Sequence, residues 1–271
     1  MAPNGQESEC LKSMLCYLPK YLMSGRADLL LFEHLLTRAE DKLDLEHLSL
    51  LMAEPEHPGL DISSYLDKLN VMGELARIKL RFCSSCGPAP AERMMPILRL
   101  LYGQLGFRGN VADYYDPKNS FLNHVIDRRT GNPLSLAVVL LAVCRRADVE
   151  AVGVSFPGHF LVRAAKANGE MATIDPFDGR IVTPAVLQSI YESATGDPGD
   201  IDEQYLVPAT RRQVMLRMLN NLRAIYEVRG DQDRLRFVLE RMALLNPSEE
   251  VQRRLDSVVQ AVALAPRISI N

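Results

Sequence analysis

The chain changes period twice. From about residue 10 to 82, apolar positions recur at three- and four-residue steps, as in Leu29, Leu30, Phe32, Leu35 and Leu36. That spacing predicts amphipathic helices. "DKLDLEHLSLLMAE" continues the pattern and "PEHPG" ends it. "DISSYLDKLNVMGELARIKLRF" then opens with Asp61 and Ser63 as candidate caps. It sets Tyr65, Leu66, Leu69, Met72, Leu75 and Ala76 on one stripe. "CSSCGPAPA" breaks the run at 83–91, and "ERMMPILRLLYGQLG" predicts another helix to about Gly106, with Pro96 near its first turns. "FRGNVADYYDPKNS" is rich in turn residues and predicts a loop. "FLNHVIDRRTGNP" predicts a short helix and a turn.

"LSLAVVLLAVCRRA" is apolar nearly all round, which places this helix in the interior. After it the period drops to that of strands. "VEAVGVSF", "GHFLVRAA" and "MATID" are short, β-branched and bounded by Pro-Gly and Asn-Gly, with a hairpin turn at "KANGE". Residues 175–179 read as a turn. "TPAVLQSIYESATG" predicts a helix capped by Thr183 with Pro184 at its first position. "GDPGDIDEQ" is an acidic loop and "YLVPAT" a short strand or extended connector. From Arg211 onward three helical segments follow, the first stopping at Gly230. The first two form a hairpin of about 34 residues, the length of one tetratricopeptide unit.

Composition narrows the classes. The 271 residues are 47% hydrophobic and 24% charged, as in a soluble globular protein. The net charge of −3 gives no global positive field, and with no Trp and 6% aromatics there is no evident stacking platform, so nucleic acid is not an expected partner. The longest apolar run, 134–144, is too short to span a bilayer. The polar start, 1–9, is expected to fray and lacks the pattern of a secretory signal. Five unevenly spaced cysteines do not suggest a disulfide framework, and the expected setting is a reducing cytoplasm. From 209 to 254 there are ten Arg against six acidic residues, read as a solvated helical surface. "CSSC" stands alone, so neither a metal nor a cofactor is expected, and His34, His47 and His57 read as surface or satisfied residues.

The candidate chemistry lies in "FPGHFLVRA" and "TIDPFDG". A Gly-x-x turn leads into the buried helix, then come a strand, a strand opened by His159 and a strand ending in Asp175. This order resembles the transglutaminase-like, papain-related core. There a Cys at the helix head is the nucleophile, a His is the base and an Asp orients it. A helix N-terminus lowers a thiol's pKa, a neighbouring His holds the thiolate, and a carboxylate fixes the imidazole. The resemblance carries over His159 and Asp175. At the position of the Cys, counted from Gly131, stands Pro133. Cys144 lies eleven residues further, about 16 Å along a helix. Ser135, one step into the helix, has a hydroxyl that could act with His159, although a lone Ser at a helix start is more often a cap or first-turn residue.

Longer stretches, including "GFRGN-ADYYDPKNSFLNHVIDRRTGNPLSL", "GVSFPGHFLVR", "IDPFDGR" and "RRQVMLRMLNNLRAIY", are similar to the SirB family of bacterial proteins over roughly 25–250. The resemblance implies an α+β fold in three parts. These are a helical N-terminal region (1–106), a transglutaminase-like core with a small antiparallel sheet on a buried helix (107–208), and an all-helical tetratricopeptide-like tail (209–271). Pro in place of the Cys is the family's usual pattern. The expected function is therefore non-catalytic binding, with a protein partner on the tail. Asn123, Asp127, Arg128, Arg129 and Pro133 are candidates to line the cleft. Tyr114, Tyr115 and Asp116 are expected to pin their loop to the core. The alternative is a hydrolase using Ser135, or an activated water, with His159 and Asp175.

Overall fold

The computed structural model describes residues 27–54, 56–84 and 86–264. The polar start lies outside the described residues. Helix α1 (Ala27–Leu36) buries Leu29, Phe32, Leu35 and Leu36, the stripe its spacing predicts. Helix α2 (Leu45–Leu51) is capped by Asp44, which accepts from the His47 amide at 3.0 Å. Helix α3 (Ile62–Arg81) is capped by Asp61 and buries Leu69, Met72, Gly73 and Ala76. Leu75, expected on that stripe, faces outward at 38% exposure. After α3, Cys83 and Cys86 form a disulfide, one local bridge where the cysteine count suggested none. Helix α4 (Pro90–Leu98) contains Pro96 and runs into a π-helical turn, Arg99–Gln104. There the Leu105 amide reaches the Leu100 carbonyl at 2.8 Å.

Strand β1 (Arg108–Gly109) pairs in parallel with β2 (Thr130–Gly131), a two-residue ladder the pattern did not predict. Between them lies helix α5 (Leu122–Arg128). The interior helix α6 (Pro133–Arg146) buries eleven of its residues, among them Leu136, Leu140 and Val143. The antiparallel sheet follows in chain order: β3 (Val152–Val154), β4 (Leu161–Ala165), β5 (Met171–Asp175) and β6 (Arg180–Val182). β6 was not predicted. Asp175 pairs with Arg180 across the 175–179 turn, so that turn closes a hairpin. Helix α7 (Pro184–Thr195) starts at Thr183 and stops at Gly196. "YLVPAT" forms a 3-10 turn and a single bridge from Pro208 to Val154 rather than a strand.

Helices α8 (Arg211–Arg229), α9 (Gln232–Leu245) and α10 (Glu249–Leu264) pack in succession. One hydrophobic cluster joins Phe32, Leu48, Leu140, Ile174, Leu222 and Leu239, so helices from both ends of the chain share the interior with α6 and the sheet. Each fully buried side chain of this size contributes roughly 1.5–3 kcal/mol. Two buried charges tie the layers. Glu46 of α2 meets Arg145 at 2.9 Å and Arg146 at 3.0 Å. Arg241 of α9 is fully buried against Asp28 of α1 and stacks 3.4 Å from the Phe237 ring centre. Among the described residues no helix is long and apolar enough to cross a membrane.

Candidate functional site

His159 sits in a turn before β4 rather than on the strand itself. The turn is set by Gly158 at φ +67°, where a Cβ would also come within 2.8 Å of Ala194 on α7. The His159 amide donates to the Phe156 carbonyl at 3.1 Å. From α8, Arg217 donates to the His159 carbonyl at 2.7 Å and to the Phe156 carbonyl at 3.3 Å. The tail helix therefore holds the turn that carries the imidazole. Burial pulls the Arg217 guanidinium below its ordinary pKa.

Asp175 ends β5. Its Oδ1 accepts from the Phe177 amide at 2.8 Å, which fixes the carboxylate at the head of the turn. Phe177 is fixed in turn: its carbonyl accepts from the Gly109 amide at 2.6 Å, and a Cβ on Gly109 would fall 2.2 Å from the Phe177 ring. Tyr102 donates to the Pro176 carbonyl at 2.6 Å, and burial holds its phenol far above the ordinary value.

These supports bring His159 Nε2 to 2.9 Å from Asp175 Oδ1. The distance is that of an ion pair, but the direction is not that of a hydrogen bond, so among the described residues Nε2 has no well-aimed partner. With Nε2 on the carboxylate side, Nδ1 is the nitrogen left to act.

The head of α6 offers no thiol. Pro133 occupies the first helical position and Asn132 caps it. Ser135 is fully buried; its Oγ donates to the Asn119 carbonyl at 2.6 Å and accepts from the Asn132 amide at 3.1 Å. His159 is not among its partners. Cys144 is buried at the far end of the helix, and burial raises its thiol to about 12.

Three of the expected cleft residues, Asp127, Arg128 and Arg129, are engaged by other side chains. Arg128 pairs with Asp116 at 2.9 Å and so pins the 110–120 loop. Arg129, at φ 56°, lies 4.9 Å from the Phe107 ring centre. Asp127 takes Tyr65 and Lys68, each at 2.7 Å. Asn123 is buried with its Oδ1 unpaired. Tyr114 and Tyr115, expected to pin the loop, are 46% and 72% exposed. Asparagines hold the loop instead: Asn119 donates to the Asp113 and Tyr114 carbonyls at 2.8 and 3.1 Å.

Arg217, the place of Tyr114 at the site, and a cavity of about 440 Å³ between the loop, the head of α6 and α8 are the parts that sequence reasoning missed. Tyr114 joins the cavity to the pair, since its ring lies 6.2 Å from that of Phe177 and its phenol, raised by burial, feels Tyr115, Arg217 and Asp175. His57, read as a surface or satisfied residue, meets His124 of α5 with Nε2 atoms 2.7 Å apart. No group of three or more His, Cys, Asp or Glu suited to a metal occurs among the described residues.

The fold, a buried helix against a sheet that brings His and Asp together, is that of a transglutaminase-like domain. The sequence model of the transglutaminase-like superfamily matches residues 64–220, so the homologous unit runs from α3 into α8. The chain belongs to this superfamily and, within it, to the UPF0162 family. It is 36% identical over 223 residues to a UPF0162 protein of Xylella fastidiosa, covering 81% of this chain and 78% of that one. A UPF0162 protein of Pseudomonas aeruginosa is 32% identical over 141 residues, covering 52% of this chain and 51% of that one. F-box only protein 21 of Mus musculus is 44% identical over 79 residues, 29% of this chain and 12% of that protein. No solved structure matches the chain.

Proposed function

We propose that the protein acts by binding, on a transglutaminase-like core that carries out no acyl transfer. One observation carries this reading: the base and its carboxylate stand together, yet the helix head bears Pro133, and the Ser135 hydroxyl is spent on the Asn119 carbonyl. A nucleophile needs a base within hydrogen-bond reach. Ser135 has backbone partners instead, which weighs against the hydrolase alternative. The SirB-type grouping and a tetratricopeptide-like tail offering a surface to a protein partner belong to the same proposal.

Turnover tests the reading. The purified full chain is expected to cleave neither peptidyl amides nor nitrophenyl esters faster than its His159→Ala variant does. Turnover that disappears in His159→Ala would sink the proposal and point to an activated water or Ser135. Ser135→Ala then separates those two, and is otherwise expected to cost only about 1–2 kcal/mol of stability through its lost bonds at the helix head.

A further inference from the structure

The cavity beside the site has the makings of a ligand pocket. Its volume, about 440 Å³, lies within the usual range for small-molecule sites. Its walls are mostly apolar. Tyr114 and Tyr115 stand edge to face on one side, their rings 5.3 Å apart, and Ile225 and Val228 of α8 stand on the other. Val228 is 90% exposed and Tyr115 72%, a large cost in hydrated apolar surface if nothing covers them.

The charge on the lining is positive, and its other polar groups are neutral hydroxyls and amides that can donate to an anion. No Asp or Glu lines the cavity. Arg229 of α8 does, and among the described residues its guanidinium makes one long contact, 3.4 Å to the Tyr115 carbonyl. Asn221, on the same face of α8 as Ile225 and Val228, lines it with an amide that hydrogen-bonds no other protein group among the described residues. An Arg and a free amide beside an aromatic wall match a carboxylate attached to a compact apolar body.

We propose that this cavity binds a small organic acid, one carboxylate on an aromatic or branched aliphatic frame. The assignment rests on the binding role proposed above and names its ligand class. The carboxylate would meet Arg229 and Asn221, and the frame would lie between the tyrosines and α8. Because Tyr114 also abuts Phe177, occupancy would be felt at the turn that carries Asp175.

Titration calorimetry on the full chain with 2-naphthoate, and with 2-naphthalenemethanol as its uncharged counterpart, provides the test. The acid is expected to bind with a Kd near or below about 1 mM, and the alcohol about tenfold more weakly. Arg229→Ala should remove the preference for the acid. Ala224→Phe, at an exposed α8 position facing the cavity, should weaken both probes. Circular dichroism confirms that each variant is folded. Absence of naphthoate binding, equal binding of acid and alcohol, or binding untouched by both substitutions would overturn the assignment. So would a peptide with a free C-terminus that binds while naphthoate does not. These results concern the ligand class alone, whereas turnover dependent on His159 would overturn the binding role, so the two failures read differently.

Discussion

Arg217 and His159 are joined through the main chain: the guanidinium of α8 donates to the histidine's own carbonyl at 2.7 Å. The tail thus fixes the turn from behind while Asp175 faces the ring. Arg217→Met keeps most of the stem's packing and deletes three bonds to two carbonyls. It is expected to cost about 1–3 kcal/mol in denaturant unfolding and to move the His159 ring resonances in NMR spectra. Unchanged resonances would mean the turn holds its shape without the arginine.

The His57–His124 contact makes stability depend on pH. Burial first, then His57, Lys118 and Arg128, hold the His124 pKa below 6.5, with Asp116 opposing. A histidine depressed in the fold takes up protons more readily when unfolded. Its contribution is therefore full above about pH 6.5 and is lost as pH falls towards its folded value. Glu46 acts in a separate window: burial alone would raise its carboxyl, but Arg145 and Arg146 hold it below 4.5, so its contribution is lost only under stronger acid. His124→Gln should flatten the fall just below pH 6.5 and leave the one below 4.5 in place. Chemical denaturation across pH 3–8 reads both.

Asp28→Asn removes the carboxylate that faces buried Arg241. Losing one partner of a buried pair costs about 3–5 kcal/mol, because the remaining charge keeps its desolvation penalty. The expected result is a lower unfolding midpoint, with a double substitution, Asp28→Leu and Arg241→Met, restoring much of it. A single Asp28→Asn variant as stable as the parent would show that the other contacts of Arg241, the Phe237 and Phe32 rings among them, suffice.

The sequence made the helices legible because each carries its own signal. The α1 stripe, the Asp61 and Thr183 caps and the Gly230 stop are local, and local physics decided them. The His159–Asp175 pair was legible for a different reason, the order of helix and strands. β1, β2 and β6 were not, since two or three residues show no period, and only pairing at Gly109–Gly131 and Asp175–Arg180 makes them strands.

The surroundings of the pair were hidden for a related reason. Arg217 lies fifty-eight positions from His159 and reads, in the chain, as one more arginine on a basic helix. Arg128 and Arg129 precede the buried helix and invited a place in the cleft. Instead the left-handed backbone at Arg129 sends the two side chains to different neighbours, Asp116 and Phe107. Adjacency along the chain is a poor guide to direction at a helix end.

The shared interior has a consequence for how the chain comes apart. Leu222 and Leu239 of the tail sit in the same cluster as Phe32 and Leu140, and Arg241 is tied to Asp28. Amide exchange should then slow together in α1, α6 and α8, as one cooperative unit rather than three. Cutting the chain before α8 would strip the floor from the interior and release the His159 turn at the same stroke. A partner lost on such truncation would be reporting collapse of the whole body, so contacts on the tail are best mapped by single exposed substitutions.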